Sequence, residues 1–135
     1  MRRHVVVWID HTEARVFRVQ PETPGHPQPE PIDEATIVSP QHRIHRHPKG
    51  RGDEKEHQHP EDVARLFHDV ARAIESADTV LIMGPSSAKL ELVKYLETHD
   101  PGLRAKIAGV ETVDHPTDRE IVAQARKYFK ASDRM

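Results

Sequence analysis

The run His4-Val5-Val6-Val7-Trp8-Ile9 constrains the fold more than any other part of the chain. Its β-branched density favours an extended strand. It also lacks the polar alternation of a strand with one wet face. A strand that is apolar on both sides has to be covered on both sides, as in sheets flanked by helices. The sequence therefore predicts a strand over 4–10, central in a sheet, with further layers above and below it.

Asp10-His11-Thr12-Glu13 follows as a polar turn. Residues 14–19, Ala-Arg-Val-Phe-Arg-Val, read as a second strand, and so short a connection implies an antiparallel hairpin. Five prolines between Pro21 and Pro31 exclude a ladder or helix there and make that segment an extended connection. Residues 35–38, Ala-Thr-Ile-Val, give a third short strand. Residues 40–60 carry almost no apolar side chains. A loop of that length in a compact domain is usually functional or disordered.

From Glu61 the period changes. Val63, Leu66, Phe67, Val70, Ala71 and Ile74 form one apolar stripe and predict a helix over 61–76. Thr79–Met83 is a short buried strand, Gly84-Pro85-Ser86 a turn, and residues 87–99 a helix stopped by Asp100-Pro101-Gly102. Ile107–Val113 is the last strand. Thr117 or Asp118 caps a final helix carrying Ile121, Val122, Ala125, Tyr128 and Phe129 on one face. The predicted order is β-β-β-α-β-α-β-α. It describes an α/β, ribonuclease-H-like three-layer domain with a mixed five-stranded sheet, spanning 1–131, with a frayed tail over 132–135.

Composition bounds the function. The chain has 135 residues, the length of one ordinary domain. Its formal net charge is −2, so nucleic-acid binding requires a local basic patch. The absence of cysteine excludes disulfides, thiolate zinc sites and cysteine nucleophiles. The apolar run Val5–Ile9 is too short for a signal peptide, and no stretch reaches the roughly 18 apolar residues of a membrane span. The expected location is the cytoplasm.

The 40–60 loop is the first candidate site. His42, Arg43, His45, Arg46, His47, Lys49 and Arg51 form a run without acids until Asp53, Glu54 and Glu56. A segment of this kind suits a phosphate backbone. The alternative is zinc or nickel held by His42, His45, His47, His57 and His59, although a polar glycine-containing loop offers little to fix the geometry such a site needs. The second candidate is Gly84-Pro85-Ser86-Ser87-Ala88-Lys89. Gly84, Ser86, Ser87 and Lys89 at a helix start could hold an anion, as in an enzyme acting on a phosphorylated small molecule, without the spacing of a P-loop. Asp10, with Glu61 or Asp62, could be imagined as a nuclease centre, but the strand ending at Met83 adds no acid. Asp10 suits turn chemistry with Thr12 better. Asp114-His115 with Ser86 or Ser87 is a hydrolase reading that geometry has to decide.

Asp10-His11-Thr12-Glu13-Ala14-Arg15-Val16-Phe17 resembles the hairpin that opens the middle domain of archaeal and eukaryotic class I release factors and of the stalled-ribosome rescue factor Pelota. Ile82-Met83-Gly84-Pro85-Ser86-Ser87-Ala88-Lys89, followed by Leu92, Tyr95 and Leu96, is similar to that domain's Gly-Pro-Gly-x-x-Lys turn and helix. With Val-Glu-Thr-Val-Asp-His-Pro-Thr-Asp at 110–118, it resembles more closely a group of short bacterial translational machinery proteins. The departure is in the long loop. Gly50-Arg51-Gly52-Asp53 stands where release factors carry Gly-Gly-Gln, which occurs nowhere in the chain. The resemblance therefore implies a non-catalytic module binding ribosome or tRNA. No cofactor, bound metal, DNA or membrane partner is expected.

Overall fold

The computed structural model describes residues 3–19, 32–38 and 60–133. Its elements are β1 (His4–Ile9), β2 (Glu13–Val19), β3 (Ile32–Val38), α1 (Pro60–Ala73), β4 (Thr79–Gly84), α2 (Ala88–His99), α3 (Pro101–Arg104), β5 (Ile107–Thr112) and α4 (Asp118–Asp133). The strands lie side by side in the order β3-β2-β1-β4-β5. β1 pairs antiparallel with β2 and parallel with β4, and β4 pairs parallel with β5. The expectation of a mixed α/β fold with β1 in the middle holds, and every residue of β1 is buried.

Alternation along the strands builds two cores. Val5, Val7 and Ile9 of β1 join Val80 and Ile82 of β4 on one face, against Leu66, Phe67 and Val70 of α1 and Leu92 and Leu96 of α2. Val6 and Trp8 join Phe17, Leu81 and Met83 on the other, against Ile121, Val122, Ala125 and Phe129 of α4. The helical stripes read from the sequence are the surfaces that pack.

Two boundaries and the element order need correction. β3 starts at Ile32 rather than residue 35, and α1 ends at Ala73, short of Ser76. Asp100-Pro101-Gly102 does stop α2, but it also opens the one-turn helix α3. The Asp100 carboxylate accepts the Leu103 N–H at 3.2 Å, and Pro101 occupies the first helical position, where its missing N–H costs nothing. The order is therefore β-β-β-α-β-α-α-β-α, with buried Leu103 anchoring the added turn. α4 runs to Asp133, two residues into the segment expected to fray.

The start of β1 is clasped to the start of β4. The Arg3 N–H donates to the Asp78 carboxylate at 2.7 Å, and the Asp78 N–H donates to the Arg3 carbonyl at 2.8 Å. The Arg3 N–H, followed by the nearby Arg3 and Lys106 charges, holds the Asp78 carboxyl below its ordinary value of 3.8. A depressed carboxyl stabilises the fold above that ordinary value and stops doing so as pH falls through the folded one. Asp78→Asn should therefore lower the melting temperature slightly at pH 7, and the difference from the wild type should shrink as pH falls below the ordinary carboxylate value of 3.8. Parallel melting curves across that range would show that the clasp is not charge-dependent.

Candidate functional site

β1, β4 and β5 run parallel, so their carboxyl ends bring three polar turns to one end of the sheet. The first is an Asx turn. One Asp10 carboxylate oxygen accepts the Thr12 N–H at 2.8 Å, the Thr12 hydroxyl at 3.0 Å and the Glu13 N–H at 2.9 Å. Asp10 is thus engaged in the turn chemistry expected of it. His11 beside it meets Glu91 of α2 at 3.2 Å.

The second turn is Gly84–Lys89. A Cβ placed on Gly84 would lie 2.3 Å from the Ile9 carbonyl oxygen, so glycine is what lets β4 close against β1 here. The Ser87 hydroxyl donates to Glu91 at 3.0 Å rather than capping α2. Lys89 is buried, and its ammonium donates to the Ser86 carbonyl at 2.6 Å. Gly84, Ser86, Ser87 and Lys89 are thus gathered at one junction. The lysine's bond to Ser86 is internal to the turn, and the Ser87 hydroxyl faces Glu91 and not the Asp114–His115 pair.

The third turn, 113–117, lies in the 110–118 run that carries part of the resemblance, a cap and the hydrolase reading. The cap is there as a capping box. Thr117 Oγ1 accepts the Glu120 N–H at 3.2 Å, and Glu120 accepts the Thr117 N–H at 2.8 Å. The rest of the turn is held from the sheet. The Trp8 indole N–H donates to the Asp114 carbonyl at 2.9 Å, and the His115 ring lies 5.2 Å from the Trp8 ring. Arg15 sits over that indole at 5.2 Å and reaches Asp118 at 2.9 Å and Glu13 at 3.2 Å. The Asp114 and His115 side chains, bonded to each other at 2.9 Å, are 91% and 62% exposed. The arginine itself was the available signal. It stands opposite Trp8 on a strand face that it shares with Glu13, Phe17 and Val19, and a cation there needs both a ring and an acid.

His42, Arg43, His45, Arg46, His47, Lys49 and Arg51, and the alternative ligands His57 and His59, lie outside the described residues. Among the described residues no group of three or more His, Asp or Glu side chains is arranged to hold a metal ion. No helix of the described residues is long and apolar enough to cross a membrane.

No protein-family model matches the sequence. No curated protein matches it. Solved structures do. The Pelota protein of Thermoplasma acidophilum is similar at a TM-score of 0.60 and 18% identity, over 91% of this chain and 31% of that one. Pelota of Archaeoglobus fulgidus gives 0.51 and 15%, over 97% of this chain and 36% of that one. An archaeal translation termination factor gives 0.49 at 13% identity, over 97% of this chain and 40% of that one, too loose to argue from. The chain spans about a third of the length of the Pelota structures it resembles. At these identities the likeness is one of fold.

Proposed function

We propose that this chain is a non-catalytic, translation-associated module that binds the RNA of the ribosome or of tRNA. It is read as one ribonuclease-H-like domain over 1–131. The observation that supports this most is the likeness in fold to Pelota over 91% of the chain, taken with the sequence resemblance of the hairpin and the Gly-Pro-Ser-x-x-Lys turn. The missing Gly-Gly-Gln argues against release chemistry. In its place stands a cationic segment whose natural partner is a phosphate backbone. His42, Arg43, His45, Arg46, His47, Lys49 and Arg51 are its proposed contacts. Gly84, Ser86, Ser87 and Lys89 are a weaker anion site, because the Lys89 ammonium already meets the Ser86 carbonyl.

Binding of this kind is salt-dependent, with a slope of about 0.7 per neutralised phosphate on single strands. The wild type should co-sediment with ribosomes at low salt and leave them as salt rises. Replacing Arg43, Arg46, Lys49 and Arg51 together by alanine should flatten the dependence on log salt by about 3. A wild-type protein that stays in the light fractions at low salt would overturn the proposal.

A further inference from the structure

Among the described residues β5 lies at an edge of the sheet and pairs on one side alone, with β4. Edge strands are commonly protected by lysine, by proline or by a covering element. Ile107–Thr112 holds neither lysine nor proline, and Ala108, Val110 and Thr112 are exposed. The Val113 N–H donates to the Gly84 carbonyl at 3.0 Å, so the backbone of Val113 faces β4. Alternation along the strand then points the N–H and C=O groups of Val110 and Thr112 outward.

Apolar side chains flank the same edge. Leu90 and Val110, 56% and 36% exposed, are the large hydrophobic residues most open to solvent among those described. Val110 pairs with Ile82, whose side chain is on the sheet face covered by α1 and α2. Leu90 shares a flank of α2 with Glu97, seven residues on. Glu97 meets Arg104 of α3, the element that leads into β5, at 3.2 Å. The other flank of α2 turns to α1 and the β1–β2 turn, through Tyr95 on Phe67 and Glu91 on His11. Leu90 and Val110 therefore lie on one face of the sheet, at its open side.

The strand is complementary to itself in one antiparallel register. With Val110 on a twofold axis, Ala108 meets Thr112, and Glu111 meets Gly109, where no side chain opposes its carboxylate. At the strand's ends Lys106 meets Asp114, whose side chain is 91% exposed. Opposite charges directly across a ladder attract, and like charges repel. A register centred on Glu111 would face two carboxylates, and one centred on Gly109 would set Glu111 against Ile107. On the axis the two Val110 residues exchange both of their outward bonds. The Thr112 N–H finds the Ala108 carbonyl, which accepts the Tyr128 hydroxyl at 2.9 Å and keeps a second lone pair.

We infer that β5 is a self-association surface, on which a second copy of the chain docks its own β5 antiparallel in this register. The two five-stranded sheets become one, with Val110 on the axis, Leu90 beside it and Lys106 against Asp114 at both ends. The inference does not depend on RNA binding.

The test is sedimentation velocity of the full chain at rising concentration, joined to cross-linking. The wild type should approach twice the chain's mass. The chain has no cysteine, so Val110→Cys introduces a single thiol. On the axis its Cα would stand about 5.5 Å from its counterpart, within disulfide reach. Mild oxidation should therefore link Val110→Cys into a covalent dimer. Thr112→Cys should stay unlinked, because four residues separate it from its counterpart's level, about 13 Å along the strand. Val110→Lys should abolish the dimer by setting two ammonium groups on the axis. Asp114→Lys should weaken it about tenfold, and adding Lys106→Asp should restore it.

A wild type that stays monomeric at every concentration overturns the inference and leaves the edge to a foreign strand. Linking of Thr112→Cys without Val110→Cys overturns the register. A dimer that Val110→Lys leaves intact lies on another surface, against the inference. Recovery of the dimer in the charge-swapped double variant supports it, since a role confined to the monomer would not respond to the pairing of these two positions.

Discussion

Gly84→Ala should destabilise the protein by about 3 kcal/mol and lower its melting temperature by roughly 10 °C. The added methyl would sit 2.3 Å from the Ile9 carbonyl oxygen, a distance that real Cβ atoms do not reach. The obstacle is backbone and not the end of a flexible side chain, so no rotamer change relieves it. β1 cannot retreat, because it is hydrogen-bonded on its other side to β2. β4 cannot retreat either, because the Gly84 carbonyl accepts the Val113 N–H at 3.0 Å and Gly84 pairs with Thr112 of β5. The strain falls where the three polar turns gather, so any RNA-binding loss in this variant should track its loss of stability. Denaturant titration checks the magnitude. A cost below about 0.5 kcal/mol would show that the β1–β4 junction can slide, and glycine would then need another reason to stand there.

Most of the fold is legible because each element announces itself by local chemistry. The uninterrupted Val5–Ile9 run gives the central strand. The stripe from Val63 to Ile74 gives a helix on one face, and Thr117 or Asp118 marks the start of the last helix, where the structure closes a capping box between Thr117 and Glu120. Asp10 and Thr12 are two residues apart, which is the reach of an Asx turn. What is not legible is either a local choice between two readings or a contact made across long distances along the chain. Sequence places Lys89 in a turn that could hold an anion, but only the fold brings its ammonium onto the Ser86 carbonyl. Asp100-Pro101-Gly102 reads equally as a stop and as the start of a new turn, and buried Leu103 decides between them. Arg15, Trp8 and Asp118 are joined across more than a hundred positions, which no local pattern records.

That last cluster carries the other large effect. Trp8→Ala should cost about 3–5 kcal/mol, the range for removing a large aromatic from a core, and Trp8→Phe about 1–2 kcal/mol. The indole is 1% exposed and packs under α4 with Phe17, Met83 and Ile121. Its N–H is also the tie that holds the Asp114 carbonyl, at 2.9 Å. Phenylalanine keeps most of the packing and gives up that bond. Alanine gives up both, and it leaves Arg15 without the ring beneath it while still bound to Glu13 and Asp118. The two variants should therefore separate packing from tethering. Amide hydrogen exchange over 113–117 should quicken in Trp8→Phe although the protein as a whole stays folded. Circular dichroism follows the melts, because Trp8 is the chain's one tryptophan and fluorescence disappears with it. Equal costs for the two variants would mean that the cavity contributes little. Unchanged exchange in Trp8→Phe would mean that Arg15 and the capping box, and not the indole, set the turn between β5 and α4.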